Sequence, residues 1–182
     1  MNTGGSHAGL NDDYASVPAE MKAVADYLGK EVLRGLTEED ILRAVPMLRK
    51  RSGDRAILRA IHFVRENDRV ESARDALKGG DLDSFFKTIL ASGRSSYQYL
   101  QNVYTNHNPF EQGISLALCV ADGVLSGKDG AFRVHGGGFA GTIQAFVRNE
   151  DLDEFVSTMN SVFGEGSATP LNIRPLGAVK LF

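Results

Sequence analysis

The sequence predicts an α+β fold, in which a helical N-terminal two-thirds packs on a small, mainly antiparallel sheet. Two observations lead to this prediction. Apolar residues recur at helical spacing from residue 18 to residue 125, whereas two segments after residue 130 alternate between apolar and polar residues. Strands that are grouped at one end of a protein, with helices covering one face, are typical of the α+β class.

The helices are predicted from their apolar periodicity and from the residues at their ends. Glycines end several periodic stretches, and acidic residues, which favour the positive end of a helix dipole, open one at residues 37–40. The clearest start is Asn108, which can cap a helix that has Pro109 at its first position and Glu111 as a capping-box acid. The predicted helices cover residues 18–28, from 37 onward, 53–77, 82–100, 108–125 and 152–163.

The strands follow from alternation with a period of two residues. Residues 131–134 and 142–147 alternate like half-buried strands on either side of a glycine-rich turn. Residues 171–174 and 177–181 are predicted as two short closing strands. The order strand, turn, strand, helix, strand, strand indicates a mainly antiparallel sheet.

Length and composition exclude several classes of protein. The 182 residues suit one domain, and 20 basic against 23 acidic residues leave a net charge of −3, so no basic field attracts nucleic acid or anionic lipid. The single cysteine excludes a disulfide framework, and four scattered histidines predict no metal site. There is no long apolar run and the first residues are polar, so we expect a cytoplasmic protein without membrane or nucleic-acid partners.

The most unusual segment is residues 135–141, which contains three successive glycines and the pattern G-x-G-x-x-G. A dinucleotide site is excluded, because that fingerprint follows a strand and opens a helix, whereas here it joins two predicted strands. A Walker-type phosphate loop is excluded because the candidate at residues 123–129 has the wrong spacing. Two interpretations stay open: the glycines let a ligand approach the backbone N–H groups, or they form a flexible hairpin.

Four segments resemble motifs of one family and come in the family's order, the third of them only loosely. They are residues 2–14 (N-T…H-x-L…Y), 59–70 (R-A-x-H-V-x-x-E-x-x-R-V), 92–99 (S-H-x-S-L-x-x-x-Y) and 133–141 (R-M-T-G-G-G-F-G-G). The protein therefore resembles the C-terminal half of the galactokinases, in the GHMP small-molecule kinase superfamily. The resemblance implies the C-terminal domain of that superfamily, with a ferredoxin-like arrangement, over residues 53–182. Residues 1–52 are then a helical segment that leads from the catalytic half.

The resemblance also implies roles for particular residues. In the family the glycine loop lies close to the phosphoryl-transfer centre, which places Gly136, Gly137 and Gly138 near phosphate. The tyrosine at the position of Tyr14 contacts the galactose ring, so Tyr14 is the candidate sugar-binding residue. The alternative is a tyrosine that only packs at the start of a helix. His135 stands where the family usually has threonine.

Galactokinases transfer a phosphoryl group from ATP to the C1 hydroxyl of galactose, and the resemblance implies ATP, Mg²⁺ and galactose or a related hexose for the intact enzyme. Phosphoryl transfer needs a phosphate cradle, Mg²⁺ and a residue that manages the nucleophile's proton. The family's P-x-x-x-G-L-S-S-type loop does not occur in this sequence, and neither does the segment with the catalytic aspartate. We therefore expect no catalytic residue and no metal ligand here, no tight cofactor binding, and no phosphorylation without an N-terminal kinase half as partner.

Two other functions are compatible with the same sequence. One is a free-standing ligand-binding or regulatory module that keeps the fold without catalysis. The other is a structural role, in which apolar surface that faces the kinase half in the family instead forms a homodimer.

Overall fold

The computed structural model describes residues 1–173, 176–177 and 179–180. The helices are α1 (Asn11–Tyr27), α2 (Glu38–Arg51), α3 (Gly53–Lys78), α4 (Leu82–Ser95), α5 (Gly113–Val124) and α6 (Leu152–Phe163), and the strands are β1 (Gly130–Val134) and β2 (Ile143–Val147). A five-residue π-helix, Ser96–Leu100, continues α4. This arrangement confirms the predicted α+β class.

Several helix ends agree with the sequence prediction because their signals are local. Thr37 caps α2: its hydroxyl accepts the Asp40 N–H, and the Asp40 carboxylate accepts the Thr37 N–H. Asp81 caps α4 by accepting the Ser84 N–H at 3.0 Å. Gly164 ends α6 with a φ of +97°, which a glycine adopts without strain.

The start predicted for the first helix is wrong. α1 begins at Asn11, about two turns before residue 18, and passes through Pro18. A proline lacks the N–H that would donate to the C=O of Tyr14, four residues earlier. The helix persists because Val24 and Ala25 are fully buried in the helical core.

The start predicted at Asn108 is also wrong, because α5 begins only at Gly113. The Asn108 C=O accepts the Glu111 N–H at 3.2 Å, which closes a turn rather than a helix. Phe110, which lies inside the predicted helix, is 96% exposed. The capping signal at this position therefore marks a surface turn.

The two strands predicted around the glycine-rich turn are confirmed. β1 and β2 pair in antiparallel register, from Gly130 opposite Val147 to Val134 opposite Ile143. The two closing strands are absent from the described residues 171–173, 177, 179 and 180, and positions 174, 178 and 181 lie outside the described part.

Two clusters of buried apolar residues stabilise the fold. The first joins α1, α2 and α3 through Val24, Ala25, Leu33, Ile41, Leu48, Ala56, Ile57, Ala60 and Val64. The second joins the sheet, α5 and α6 through Val103, Ile114, Ala117, Ala121, Leu125, Val134, Ile143, Phe155, Met159 and Ala168. α2 and α3 share the first cluster, and the boundary between residues 52 and 53 stays a prediction. Over the described positions, no helix combines the length and hydropathy needed to cross a membrane.

A half-buried polar network connects α3 to α4 and to β1. The Glu66 carboxylate accepts hydrogen bonds from the Ser92 hydroxyl, from Arg69 Nε at 2.7 Å and from Arg133 Nη1 at 3.2 Å. Burial opposes ionisation of Glu66, but these hydrogen bonds outweigh it and lower its pKa. α4 lies close to β1 because Gly93 has no side chain, and a Cβ there would be 3.1 Å from Arg133 Cβ.

His62 lies inside this network as a neutral, hydrogen-bonded residue. Its side chain is buried, and its Nδ1 lies 2.9 Å from the Ser95 hydroxyl oxygen. Arg69 donates to that same oxygen at 2.8 Å, so the Ser95 proton is free to be donated to His62. Burial, opposed by Glu66 and assisted by Arg69 and Arg133, lowers the pKa of His62 to about 4.

We expect the free energy of unfolding to fall as the pH is lowered through this range. The unfolded histidine has a pKa of about 6.5, so between pH 6.5 and pH 4 the unfolded state binds more protons. The stability that depends on neutral His62 is therefore present above pH 6.5 and is lost towards pH 4. Denaturant titrations from pH 7.5 to 4.5 should show the wild type losing about 1–3 kcal/mol more than His62→Gln. Equal losses in both proteins would contradict this assignment.

Candidate functional site

Residues 135–141 connect β1 to β2 and are called the glycine loop below. A hydrogen bond from the His135 N–H to the Thr142 C=O, 3.0 Å long, closes its base. Gly136 and Gly138 have φ values of +72° and +80°, in a region where other residues are strained. The backbone of the loop therefore depends on glycine at these two positions.

Phe139 holds the far side of the loop in a strained conformation. Its φ is +60°, and the Ala140 N–H donates to the Gly138 C=O at 2.7 Å, which makes Phe139 the centre of a γ-turn of the rare, strained kind. Two contacts to Asn102 support this shape. The Phe139 N–H donates to the backbone carbonyl oxygen of Asn102 at 2.5 Å, and Asn102 Nδ2 donates to the Gly137 C=O at 3.1 Å.

Tyr14, in the first turn of α1, lies directly on the glycine loop. Its hydroxyl donates to the Gly138 C=O at 2.9 Å, and its ring meets the Phe139 ring edge-on, with centroids 5.4 Å apart. A Cβ on Gly137 would lie 2.9 Å from the Tyr14 ring, so only glycine admits the tyrosine here. Burial and the charge of Asp13 raise the pKa of Tyr14, so the hydroxyl keeps its proton and can donate.

His7 makes a second contact with the Tyr14 hydroxyl. His7 Nδ1 lies 2.7 Å from the Tyr14 oxygen. The single hydroxyl proton is directed to Gly138, so His7 Nδ1 must carry a proton and donate to Tyr14. A hydroxyl oxygen has two lone pairs, and within the described residues one of them has no donor. Tyr14 can therefore accept one further hydrogen bond.

The first residues of the protein pack along the returning side of the glycine loop. Asn2 and Thr142 form an antiparallel bridge, and both the N–H and the hydroxyl of Thr3 donate to the Gly141 C=O, at 2.8 and 2.7 Å. Three regions that are distant in sequence thus meet here: the N-terminal segment with Tyr14, the segment at Asn102, and the loop.

The structure brings together all the site residues that were selected from the sequence. Tyr14 lies on Gly137 and Gly138, and Gly136 and Gly137 are exposed beside it. Within the described part of the protein, the N–H groups of these three glycines have no acceptor. Asn102 was not selected, and no local pattern marks it. The assignments to sugar and phosphate binding stay predictions.

His135, Gly136 and Gly137 form the exposed part of the glycine loop, whereas Gly138, Phe139 and Gly141 are buried. Clefts of about 530, 380 and 460 Å³ lie elsewhere, along α6, beside residues 97–106, and between α4 and α5. Among the residues that the structure describes, no group of three or more His, Cys, Asp or Glu residues could hold a metal ion.

Substitutions in the loop should differ sharply in cost. At Gly138 a Cβ would overlap the Asn102 C=O and lie 2.6 Å from Asn102 Nδ2, whereas at Gly136 it would meet open space. Both positions have positive φ, which costs an alanine about 1–2 kcal/mol. We expect Gly136→Ala to lose about that much free energy of unfolding, and Gly138→Ala to lose at least about 2 kcal/mol more because backbone must move. Similar losses in denaturant titrations would mean that the Asn102 contact is not formed.

Comparisons with known proteins give one consistent result. No protein-family model matches the sequence. The galactokinase of Glaesserella parasuis serovar 5 (strain SH0165) is 28% identical over 153 residues, which are 84% of this chain and 38% of the relative. The galactokinase of Thermotoga petrophila is 32% identical over 139 residues, which are 75% of this chain and 34% of the relative.

A solved structure agrees with these relatives. The crystal structure of Lactococcus lactis galactokinase complexed with galactose superposes with a TM-score of 0.71 at 23% identity, over 90% of this chain and 40% of that one. This likeness supports the fold, and the resemblance inferred from the motifs is confirmed. The chain spans well under half the length of the relatives it matches. It is therefore homologous to one part of the galactokinases.

Proposed function

We propose that this protein forms one side of a galactokinase-type active site, which transfers a phosphoryl group from ATP to the C1 hydroxyl of galactose. One observation carries the proposal: the candidate sugar-binding residue, Tyr14, donates to Gly138 at 2.9 Å and lies on Gly137. A group held by Tyr14 would therefore lie next to backbone N–H groups that suit phosphate.

The glycine loop has the chemistry that a phosphoryl group requires. The exposed N–H groups of Gly136 and Gly137 have no acceptor within the described residues, and successive N–H groups in such turns can bind an anion. Fixed donors of this kind stabilise developing negative charge without reorganising during the reaction. The loop therefore fits the phosphates of ATP. Mg²⁺ in such sites is held by one or two carboxylates together with the phosphates, and we expect those carboxylates to come from the kinase half.

Tyr14 has the chemistry that a sugar requires. Its ring presents an apolar face, and its hydroxyl oxygen keeps one lone pair after the contacts with His7 and Gly138. That lone pair can accept a hydrogen bond from a sugar hydroxyl. The contacts with His7 and Gly138 fix the orientation of the lone pair before the sugar binds, which lowers the entropic cost of binding.

A chimera tests the proposed function. The matching segment of Thermotoga petrophila galactokinase is replaced by this protein, and ADP release is measured with and without galactose. We expect galactose-dependent ADP release from the chimera and none from this protein alone, because the phosphate cradle and the catalytic acid lie in the remaining part. A chimera that unfolds cooperatively but releases no ADP with galactose would contradict the proposal.

Within the chimera, Tyr14→Phe tests the sugar contact. Removing the hydroxyl eliminates one hydrogen bond to sugar, of about 0.5–1.5 kcal/mol, so the KM for galactose should rise about three- to tenfold. Tyr97→Phe, which removes a hydroxyl from an exposed tyrosine in the π-helix, is the matched control. An unchanged KM in Tyr14→Phe would remove Tyr14 from the sugar site.

A further inference from the structure

Asn102 contacts the glycine loop on the side that faces away from solvent. It follows the π-helix and is only 3% exposed. Its amide Nδ2 donates to the Gly137 C=O at 3.1 Å, and its backbone carbonyl oxygen accepts the Phe139 N–H at 2.5 Å. One residue thus holds the peptide units on both sides of Gly138.

The first of these contacts determines where the Gly138 N–H points. Every described peptide bond is trans, and in a planar trans peptide the C=O of one residue and the N–H of the next point in opposite directions. Because the Gly137 C=O points at the Asn102 amide, the Gly138 N–H points away from it. Within the described residues this N–H has no acceptor, although Gly138 is buried. Backbone N–H groups of buried residues normally have a hydrogen-bond partner, and this N–H is left free to donate to a bound oxygen.

We propose that Asn102 is a positioning residue that aims the Gly138 N–H at a phosphoryl oxygen bound on the glycine loop. The proposal rests on the function proposed above and adds a residue to the same site. Asn102 does not touch the phosphoryl group. It acts by fixing the peptide between Gly137 and Gly138, which could otherwise rotate because neither glycine has a side chain.

The amide oxygen of Asn102 supports this role. Asn102 Oδ1 is buried and has no hydrogen-bond partner. Leaving a buried oxygen unpaired is unfavourable, and an apolar residue would avoid it. An apolar residue, however, has no N–H to orient the Gly137 C=O. The presence of asparagine at position 102 is therefore explained by the hydrogen bond that Nδ2 donates, and not by Oδ1, which has no partner.

Backbone strain lies at the same place. The only non-glycine residues with positive φ in the described part of the protein are Gln101, at +56°, and Phe139, at +60°. Gln101 directly precedes Asn102, and Phe139 donates to it. Strained residues persist where the surrounding structure over-determines them, often at binding sites. Both strained residues therefore lie at the contact between Asn102 and the loop.

The test is a titration of the ¹⁵N-labelled protein with inorganic phosphate, followed at the amide signals of Gly136, Gly137 and Gly138. Asn102→Asp keeps the shape but loses the donor, and Asn102→Ala removes the amide altogether. Asn106→Asp introduces the same charge at an exposed position nearby and is the matched control. We expect a saturable shift of the Gly138 amide in the wild type and in Asn106→Asp, and at least tenfold weaker binding by this signal in both Asn102 variants.

Two results would overturn the assignment of Asn102. One is an undiminished Gly138 shift in a folded Asn102→Ala protein. The other is a phosphate titration of the wild type in which the Gly138 amide signal does not shift. This measurement tests the assignment even if neither variant folds. If the chimera is active but the Gly138 amide signal does not shift with phosphate, only the Asn102 assignment is overturned. An inactive chimera contradicts the proposed function. In the active chimera, Asn102→Ala should lower kcat at least tenfold with little change in the KM for galactose, a split that general loss of stability would not produce.

Discussion

The buried guanidinium of Arg59, in α3, is the group on which the geometry of the site depends. Its partners are Glu20 (2.9 Å), the Ser16 hydroxyl (2.8 Å) and the Leu100 C=O (3.0 Å). A cation that is 1% exposed has to be paired and hydrogen-bonded, so these partners cannot move away from it without a large penalty. Ser16 lies two residues after Tyr14, and Leu100 lies two residues before Asn102. One arginine therefore sets the spacing between the two residues that contact the glycine loop.

The same helix also fixes the strand that enters the loop. Arg59, His62, Glu66 and Arg69 are three or four residues apart, so they share one face of α3. Through Glu66 this face holds Arg133 in β1, and β1 continues directly into the loop. The family motif at residues 59–70 therefore has a structural role. It positions the residues on either side of the loop and contributes none of its own side chains to the loop surface described above.

The sequence predicted features whose causes are local, and it missed those whose causes are distant. The Thr37 capping box joins residues three apart, so its pattern is visible in the sequence. The helix through Pro18 cannot be seen in the sequence, because burial of α1 against α3 outweighs the loss of the hydrogen bond that a proline removes. Tyr14 was found through the family resemblance alone, since its bond to Gly138 joins residues 124 apart. The contact between Asn102 and Gly137 joins residues 35 apart, and no residue near Asn102 in the sequence indicates it.

Several unfavourable features lie at the loop or next to residues that contact it, and they support a function for it. Gln101 and Phe139 have positive φ. Asn102 has a buried side-chain oxygen without a partner, and so does Asp13, the neighbour of Tyr14; Ser96 and Ser115 also have one. Natural sequences tolerate such local conflicts mainly at functional sites. A hairpin between two five-residue strands can be closed by a two-residue turn without strain or buried unpaired groups. The longer, strained loop therefore supports the proposed binding role independently of any likeness to known proteins.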